Sequence, residues 1–184
     1  MAAFIQAAAA ERAAALRPAV EYAQALLDLV KAFDRVPLWL LVQEAVALGY
    51  PLRILRLSIA TYRLERVIRI GKVISKGVTA ARGITAGSGV ATTEMRIIMI
   101  RIVDKACRLF PMVSPTLFVD DLAADVTAPE KHVVQQLGGF IETVADFIHR
   151  TGQELSKTKS LVTAYDHEAW GGALQAVEAS GHSD

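Results

Sequence analysis

Hydrophobic residues recur along much of the chain with the three- and four-residue spacing of an amphipathic helix. The clearest case begins at Pro129 and ends at Gly152, and its apolar positions are Leu137, Phe140, Ile141, Val144, Phe147 and Ile148. Pro37 opens another helical run, "LWLLVQEAVAL", which Gly49 closes, and "PLRILRLSIATYRL" follows it. After the glycine-rich "GITAGSG", the stretch "ATTEMRIIMIRIVDKACRLF" predicts a long helix.

Strand patterns lie between these helices. "RVIRI" and "VISKGV" flank Gly71–Lys72 and predict a hairpin. "TLFV" and "LAADV" are short strands on either side of Asp120–Asp121, and "SLVTAY" is a final strand. "EYAQALLDLV" is typical either of a buried strand or of the end of an N-terminal helix, and the local pattern does not decide between them.

The order of these elements predicts an α+β fold. With the hairpin at 65–78 set aside as an insertion, the order is strand, helix, strand, strand, helix, strand, which is the ferredoxin-like βαββαβ order. In that topology the first strand lies beside the third and runs antiparallel to it. Asp28, at the end of the first strand, should therefore meet Asp120 and Asp121 at one edge of the sheet.

Chain length is consistent with one domain that carries additions. We expect an alanine-rich N-terminal helical segment over residues 1–21 and the main domain over 22–165. The main domain should carry a helical and hairpin insertion at about 50–82, and a C-terminal tail should cover 166–184.

Composition narrows the class of protein. Apolar residues make up 53% of the chain and charged residues 21%, which favours a folded core over wholesale disorder. The single Cys107 excludes an internal disulfide and a cysteine zinc cluster. Apolar runs stay shorter than the roughly 18 residues of a membrane helix, so we expect no membrane partner.

Charge is unevenly distributed, although the net charge is only +1. Residues 53–82 contain eight bases and one acid, a net charge of +7, whereas the rest of the chain carries −6. Such a stretch is either a solvated surface or a face that binds a polyanion.

Three carboxylates that converge would repel one another unless they are protonated or bound to cations. Their hard oxygen ligands suit Mg²⁺ or Mn²⁺. Two such ions, about 3.5–4 Å apart, can clamp an in-line phosphoryl displacement. The pattern therefore makes Asp28, Asp120 and Asp121 candidate metal ligands, although "VDDL" alone is more typical of an ordinary acidic turn.

Four ordered motifs resemble those of reverse transcriptases, especially of non-LTR retroelements and group II introns. "DLVKAFD", from Asp28 to Asp34, is similar to the family's D-x-x-K-A-F-D motif, and "FVDD" resembles its [FY]-x-D-D box. "RGITAGSG" stands where the family has R-G-x-x-Q-G-S. "GQELSKTKS", from Gly152 to Ser160, resembles a later element that contains a lysine.

The resemblance implies a polymerase palm that catalyses RNA-templated DNA synthesis. Asp28, Asp120 and Asp121 would be the catalytic metal ligands for Mg²⁺ or Mn²⁺. The implied nucleotide-binding residues are Phe33, which would obstruct a 2′-hydroxyl, Gly87 and Ser88, which would approach through backbone N–H groups, and Lys159, which would face the triphosphate. The implied contacts to nucleic-acid phosphates are Arg53, Arg56, Arg63, Arg66, Arg69, Lys72 and Arg82.

The implied partners are an RNA or DNA template with its primer and deoxynucleoside triphosphates, in an intracellular, nuclear setting. Two positions depart from the family, since its glutamine is Ala86 here and its asparagine is Ser156. The sequence leaves little room for fingers before Asp28 or for a thumb after the last motif. We therefore expect a fragment of a longer retrotransposon polyprotein whose isolated chain is weakly active or inactive.

Other classes of protein remain open at this point. One is a catalytically silent remnant or a ferredoxin-like nucleic-acid-binding module. An RNA-recognition module of that topology would carry aromatic residues on its central strands, and we find no such box. Another is a different two-metal palm enzyme, such as a nucleotide cyclase.

Overall fold

A computed structural model describes residues 10–11, 14–15 and 21–164. The predicted C-terminal tail and nearly all of the predicted N-terminal segment lie outside these residues. The helices are α1 (Ala32–Arg35), α2 (Leu38–Ala47), α3 (Leu52–Tyr62), α4 (Ala91–Leu109) and α5 (Glu130–Arg150). The strands are β1 (Glu21–Leu27), β2 (Arg69–Ile70), β3 (Val73–Ile74), β4 (Val113–Phe118), β5 (Asp121–Ala128) and β6 (Leu161–Ala164).

Two compact units make up the chain. Of the described residues, those up to Val30 and those from Met99 to Ala164 form one unit, the sheet unit; the other, the helical unit, is Lys31–Ile98. The described fold is mixed α and β, with a four-stranded antiparallel sheet in the sheet unit and a two-stranded hairpin in the helical unit. The α+β class predicted from the sequence is therefore confirmed at this level.

The four strands of the sheet are arranged in the order β4-β5-β1-β6. β1 pairs with β5 and with β6, in both cases antiparallel, and β4 pairs with β5 as a hairpin. The segment whose pattern was undecided is thus a central strand. Its backbone groups bond to two neighbours, which the local sequence does not reveal.

Side chains alternate between the two faces of the sheet, as the two-residue period of a strand requires. On β5, Leu122, Ala124 and Val126 are buried, while Asp121 and Asp125 face the other way. Helix α5 contacts β1 and β5 and covers the buried face with the apolar stripe that its spacing predicted. We call the opposite side the open face; it carries Leu26, Phe118, Asp121, Ala123, Asp125 and Leu161.

Helix α5 contains a glycine pair where an aromatic ring approaches closely. A Cβ atom placed on Gly139 would clash with the ring of Phe110, so any larger residue would force that ring to move. The missing side chain therefore lets Phe110 pack directly against the helix backbone.

The helical unit has its own core, in which Leu40, Leu41, Leu55 and Met95 are fully or almost fully buried. Its hairpin turns at Gly71, as predicted, and its strands are short and exposed. Among the described residues, no helix is both long enough and apolar enough to cross a bilayer.

Candidate functional site

Asp28 is the first residue after β1, and the segment before β6 fixes its backbone. Its carbonyl oxygen accepts a hydrogen bond from the N–H of Ser156 at 2.8 Å. Its own N–H donates to the hydroxyl of Ser160 at 3.2 Å. The side chain is 23% exposed, so the carboxylate is partly shielded yet still reaches solvent.

Asp120 lies on the tight turn that joins β4 to β5, and Asp121 is the first residue of β5. Phe118 pairs with Asp121, so Val119 and Asp120 are the two turn residues. Val119 has a φ of 61°, a conformation that glycine adopts freely in hairpin turns and that a β-branched residue disfavours. Such strain costs about 1–3 kcal/mol and concentrates at functional sites.

The register of β1 against β5 brings the three acids to one end of the sheet. Leu27 lies opposite Leu122, and Asp28 therefore follows at the level where β5 begins with Asp121. The three acids thus lie at the same end of the sheet.

The pKa of Asp120 reflects the same arrangement. Burial raises the pKa of the Asp120 carboxyl above its ordinary value, and the charges of Asp121 and Asp28 raise it further. A backbone hydrogen bond and the Lys159 ammonium act in the opposite direction. The pKa of Asp120 thus depends on both other acids and on the lysine, as a shared site requires.

Lys159 lies beside Asp28, with its Nζ atom 3.5 Å from Oδ2 of the carboxylate. The lysine side chain is 71% exposed, so solvent screens this ion pair and it adds little to stability. Its positive charge is thus next to Asp28 and also acts on Asp120. The position at the nucleotide that the resemblance implies for Lys159 stays a prediction.

These acids supply the oxygen ligands that a hard divalent cation prefers. Within the described ranges, however, no set of three His, Cys, Asp or Glu side chains is arranged closely enough to hold a metal ion as it stands. The chemistry of the donors therefore fits Mg²⁺ or Mn²⁺, and their carboxylates would have to turn toward a common point to coordinate one.

A cavity of about 320 Å³ opens at the acid end of the sheet. It is lined by Leu26, Leu27, Asp28, Thr116, Phe118, Asp121, Leu122, Ala123 and Lys159. Apolar side chains form most of its surface and charged groups stand at one end, which is the usual composition of a small-molecule site. Phe118, the aromatic residue of the "FVDD" box, is 67% exposed beside it.

The segment that holds Asp28 also shapes the backbone at Lys159. The N–H of Lys159 donates to the Ser156 hydroxyl at 3.2 Å, and the N–H of Ser160 donates to the Ser156 carbonyl at 2.9 Å. Two serines thus tie the end of β1 to the start of β6. Sequence reasoning placed Ser156 and Ser160 in a motif but gave neither this role, because the bond from Asp28 to Ser160 spans 132 positions.

Removing the Ser160 hydroxyl should destabilise the protein modestly. Ser160→Ala leaves the partly buried N–H of Asp28 without its partner, which should lower the free energy of unfolding by about 0.5–1.5 kcal/mol. Urea denaturation checks this, with the exposed Ser114→Ala as a control that should change by less than about 0.5 kcal/mol. Equal stability of the two variants would show that the serine does not hold Asp28.

The nucleotide-binding residues implied by the resemblance lie partly in the helical unit. Phe33 is half-buried in α1, and its carbonyl oxygen accepts the N–H of Ile84 at 2.8 Å. Gly87 has a φ of 86° in a turn in which the N–H of Ser88 donates to Thr85 at 3.0 Å. The glycine is therefore required by the turn, and the Ser88 N–H is already used within it.

All seven candidate phosphate-binding residues of the helical unit are exposed; they are Arg53, Arg56, Arg63, Arg66, Arg69, Lys72 and Arg82. Arg66 and Arg69 also make internal hydrogen bonds, to the Thr85 hydroxyl and the Gly71 carbonyl, each at 3.0 Å. Arg63 and Arg82 line a groove in the same unit. Arg66 and Arg69 therefore stabilise the loops, whereas Arg63 and Arg82 face a concave surface.

The comparisons with known proteins identify no family for this chain. No protein-family model matches the chain, and no curated protein matches it as a relative.

Proposed function

We propose that this chain is the palm domain of an RNA-directed DNA polymerase, which adds deoxynucleotides to a primer end by two-metal nucleotidyl transfer. One observation carries the proposal: Asp28 and the hairpin acids, about ninety positions apart in sequence, meet at one end of the sheet. The strand order β4-β5-β1-β6, antiparallel throughout, supports a ferredoxin-like palm.

In this proposal Asp28, Asp120 and Asp121 hold Mg²⁺ or Mn²⁺. Bound divalent ions would favour the ionised 3′-hydroxyl of the primer and offset the charge of the triphosphate. The carboxylates fix the position of those ions, and the strained turn at Val119 keeps two of the three acids at the hairpin tip.

Lys159 is the proton donor in the same scheme. Its ammonium lies beside Asp28, so it can approach a bound triphosphate and protonate the leaving pyrophosphate. The resemblance further implies that Phe33 selects deoxynucleotides by obstructing a 2′-hydroxyl. The arginines of the helical unit hold the template and primer phosphates.

Single-nucleotide addition to a labelled primer on an RNA template tests the proposal. This readout suits a weak polymerase, because it requires the primer end and one nucleotide but no long grip on the duplex. We expect template-directed addition that requires Mg²⁺ or Mn²⁺, stops with EDTA and prefers deoxynucleotides over ribonucleotides. Binding of template–primer without any addition in Mn²⁺, both by the isolated chain and by its fusion to compatible fingers and thumb segments, would overturn it.

Binding of template–primer without addition would favour a nucleic-acid-binding module that has no catalytic activity. The helical unit, Lys31–Ile98, contains eleven bases and four acids, a net charge of +7, which suits a polyanion. The carboxylates of the described part are also not arranged to hold a metal ion as they stand. This alternative predicts salt-dependent binding with no role for Asp120.

A further inference from the structure

A groove in the helical unit combines an exposed indole with two arginines. Its volume is about 820 Å³. It is lined by Pro37, Leu38, Trp39, Val42, Ile59, Arg63, Thr79, Ala80, Ala81 and Arg82. No motif in the sequence pointed to it, because its walls come from α2, from the end of α3 and from the irregular segment 79–82.

Trp39 is the unusual residue of this groove. Its side chain is 58% exposed, although indole is the largest aromatic group and is usually well buried. Val42, three residues further along α2, is also exposed and lies on the same side of the helix. The helix therefore offers a flat apolar platform that the described residues of its own unit leave open.

Charge decides which partner suits this platform. Arg63 and Arg82 line the groove, and none of its lining residues is acidic. The unit around it carries a net charge of +7. A wholly apolar partner would leave both guanidinium groups unpaired, whereas an anionic partner with flat rings would use the arginines and the indole together.

From this combination we infer that the groove binds single-stranded nucleic acid, with one base stacked on Trp39 and the adjoining phosphates held by Arg63 and Arg82. Unpaired strands bind in this way, because every base has a face that can stack on an aromatic ring. A duplex hides those faces between its base pairs, so it cannot use the indole. The inference deepens the proposed function and rests on it in one respect, since a templated polymerase must hold an unpaired strand.

Tryptophan fluorescence tests the inference directly. The chain has two tryptophans, and Trp170→Phe leaves Trp39 as the only emitter. Titration of this 184-residue variant with oligo(U) should quench the emission as the base stacks. A blunt duplex of equal charge should quench it much less, even where it binds through the arginines.

Variants then separate stacking from charge. Trp39→Ala should weaken oligo(U) binding about tenfold or more, since stacking on one aromatic residue contributes strongly, and Trp39→Phe should recover part of the loss. Leu57→Ala, at an exposed apolar residue outside the groove lining, is the matched control and should bind like the parent. Arg82→Glu should weaken binding and flatten its dependence on salt, whereas Lys131→Glu, in the sheet unit, should not.

Unquenched emission on binding, or equal affinity of the Trp39→Ala and Leu57→Ala variants, would overturn the inference. Association of the protein with itself through the groove would also overturn it, and would appear as a concentration-dependent mass that Trp39→Ala removes. The proposed function can fail separately, because these measurements detect binding alone. Loss of nucleotide addition with quenching intact would reject the polymerase and keep the groove.

Discussion

Single-nucleotide addition should fall by roughly a thousandfold when Asp120 is replaced with asparagine. The amide keeps the size of the side chain but removes the negative charge that the proposed cation site requires, and charge stabilisation of the transition state contributes 10²- to 10³-fold or more in such sites. Asp28→Asn should have an effect of the same order. Incorporation of a labelled nucleotide under single-turnover conditions measures both.

Asp125→Asn is the matched control for these variants. Asp125 lies on β5 and on the same open face, and burial raises its pKa as burial raises that of Asp120. Unlike the pKa of Asp125, the pKa of Asp120 is also changed by the charges of Asp121, Asp28 and Lys159. Activity of Asp125→Asn should therefore match the parent. Equal losses in the Asp120 and Asp125 variants would mean that the acids act through general charge rather than as a site.

Stability measurements exclude unfolding as the cause of lost activity. Because the folded-state pKa of Asp120 lies above its unfolded value, its contribution to stability is complete below the unfolded pKa and is lost as pH rises through the folded pKa. Asparagine does not titrate and escapes this loss. Without metal, Asp120→Asn should thus be at least as stable as the parent at pH 7, and its relative advantage should shrink below pH 4.

Tyr62→Phe should cost the protein about 1–3 kcal/mol of unfolding free energy. Tyr62 and Glu94 are both fully buried, and the phenol donates to Oε2 of the carboxyl group at 2.6 Å. The other carboxyl oxygen, Oε1, is buried without a hydrogen-bond partner. Deleting the hydroxyl leaves the buried group still less satisfied, which is expensive in a protein interior.

A double variant shows whether the pair itself is responsible. Tyr62→Phe with Glu94→Leu removes both polar partners together, and such replacement is often nearly neutral. The double variant should therefore be more stable than Tyr62→Phe alone. Tyr50→Phe, at a half-buried tyrosine whose pKa is raised by burial and by the charge of Glu94, should change stability by less than about 0.5 kcal/mol. A double variant as unstable as the sum of its single changes would show that no coupling exists.

High pH gives a further check on the same pair. Burial, followed by the hydrogen bond to Glu94, raises the pKa of Tyr62 to about 12 from a usual value of 10.0. The stability that this shift provides is complete below pH 10 and is lost as pH rises toward 12. The difference between the parent and Tyr62→Phe, measured by urea denaturation at pH 8 and pH 11, should narrow at the higher pH.

Local patterns predicted those elements whose sequence signal lies within their own segment. Helix α5 followed from the spacing of Leu137, Phe140 and Val144, and the β2–β3 hairpin followed from Gly71. Strand β1 did not, because its alanines and leucines are good helix formers. It is a strand because β5 and β6 supply its hydrogen bonds from more than ninety positions away.

The same distinction between local and distant signals applies to the residues of the candidate site. Asp28, Asp120 and Asp121 could be named from sequence because carboxylates beside apolar strands stand out. The bond from Asp28 to Ser160, the short helix at Ala32–Arg35 and the burial of Glu94 could not, since each depends on contacts between distant segments or on a break in the local pattern.

The positive φ of Val119 limits how the acid hairpin can be transferred to another protein. A turn that holds a valine at positive φ is strained, whereas the same turn with glycine would not be. Such a turn cannot initiate the pairing of the strands around it. The pairing of β4 with β5, and of β5 with β1, must supply the free energy that this strain costs. A graft of "FVDD" alone would relax to another turn and scatter its carboxylates. The smallest unit that could be transferred is therefore the set of strands β4, β5 and β1, because their pairing stabilises the conformation of Val119.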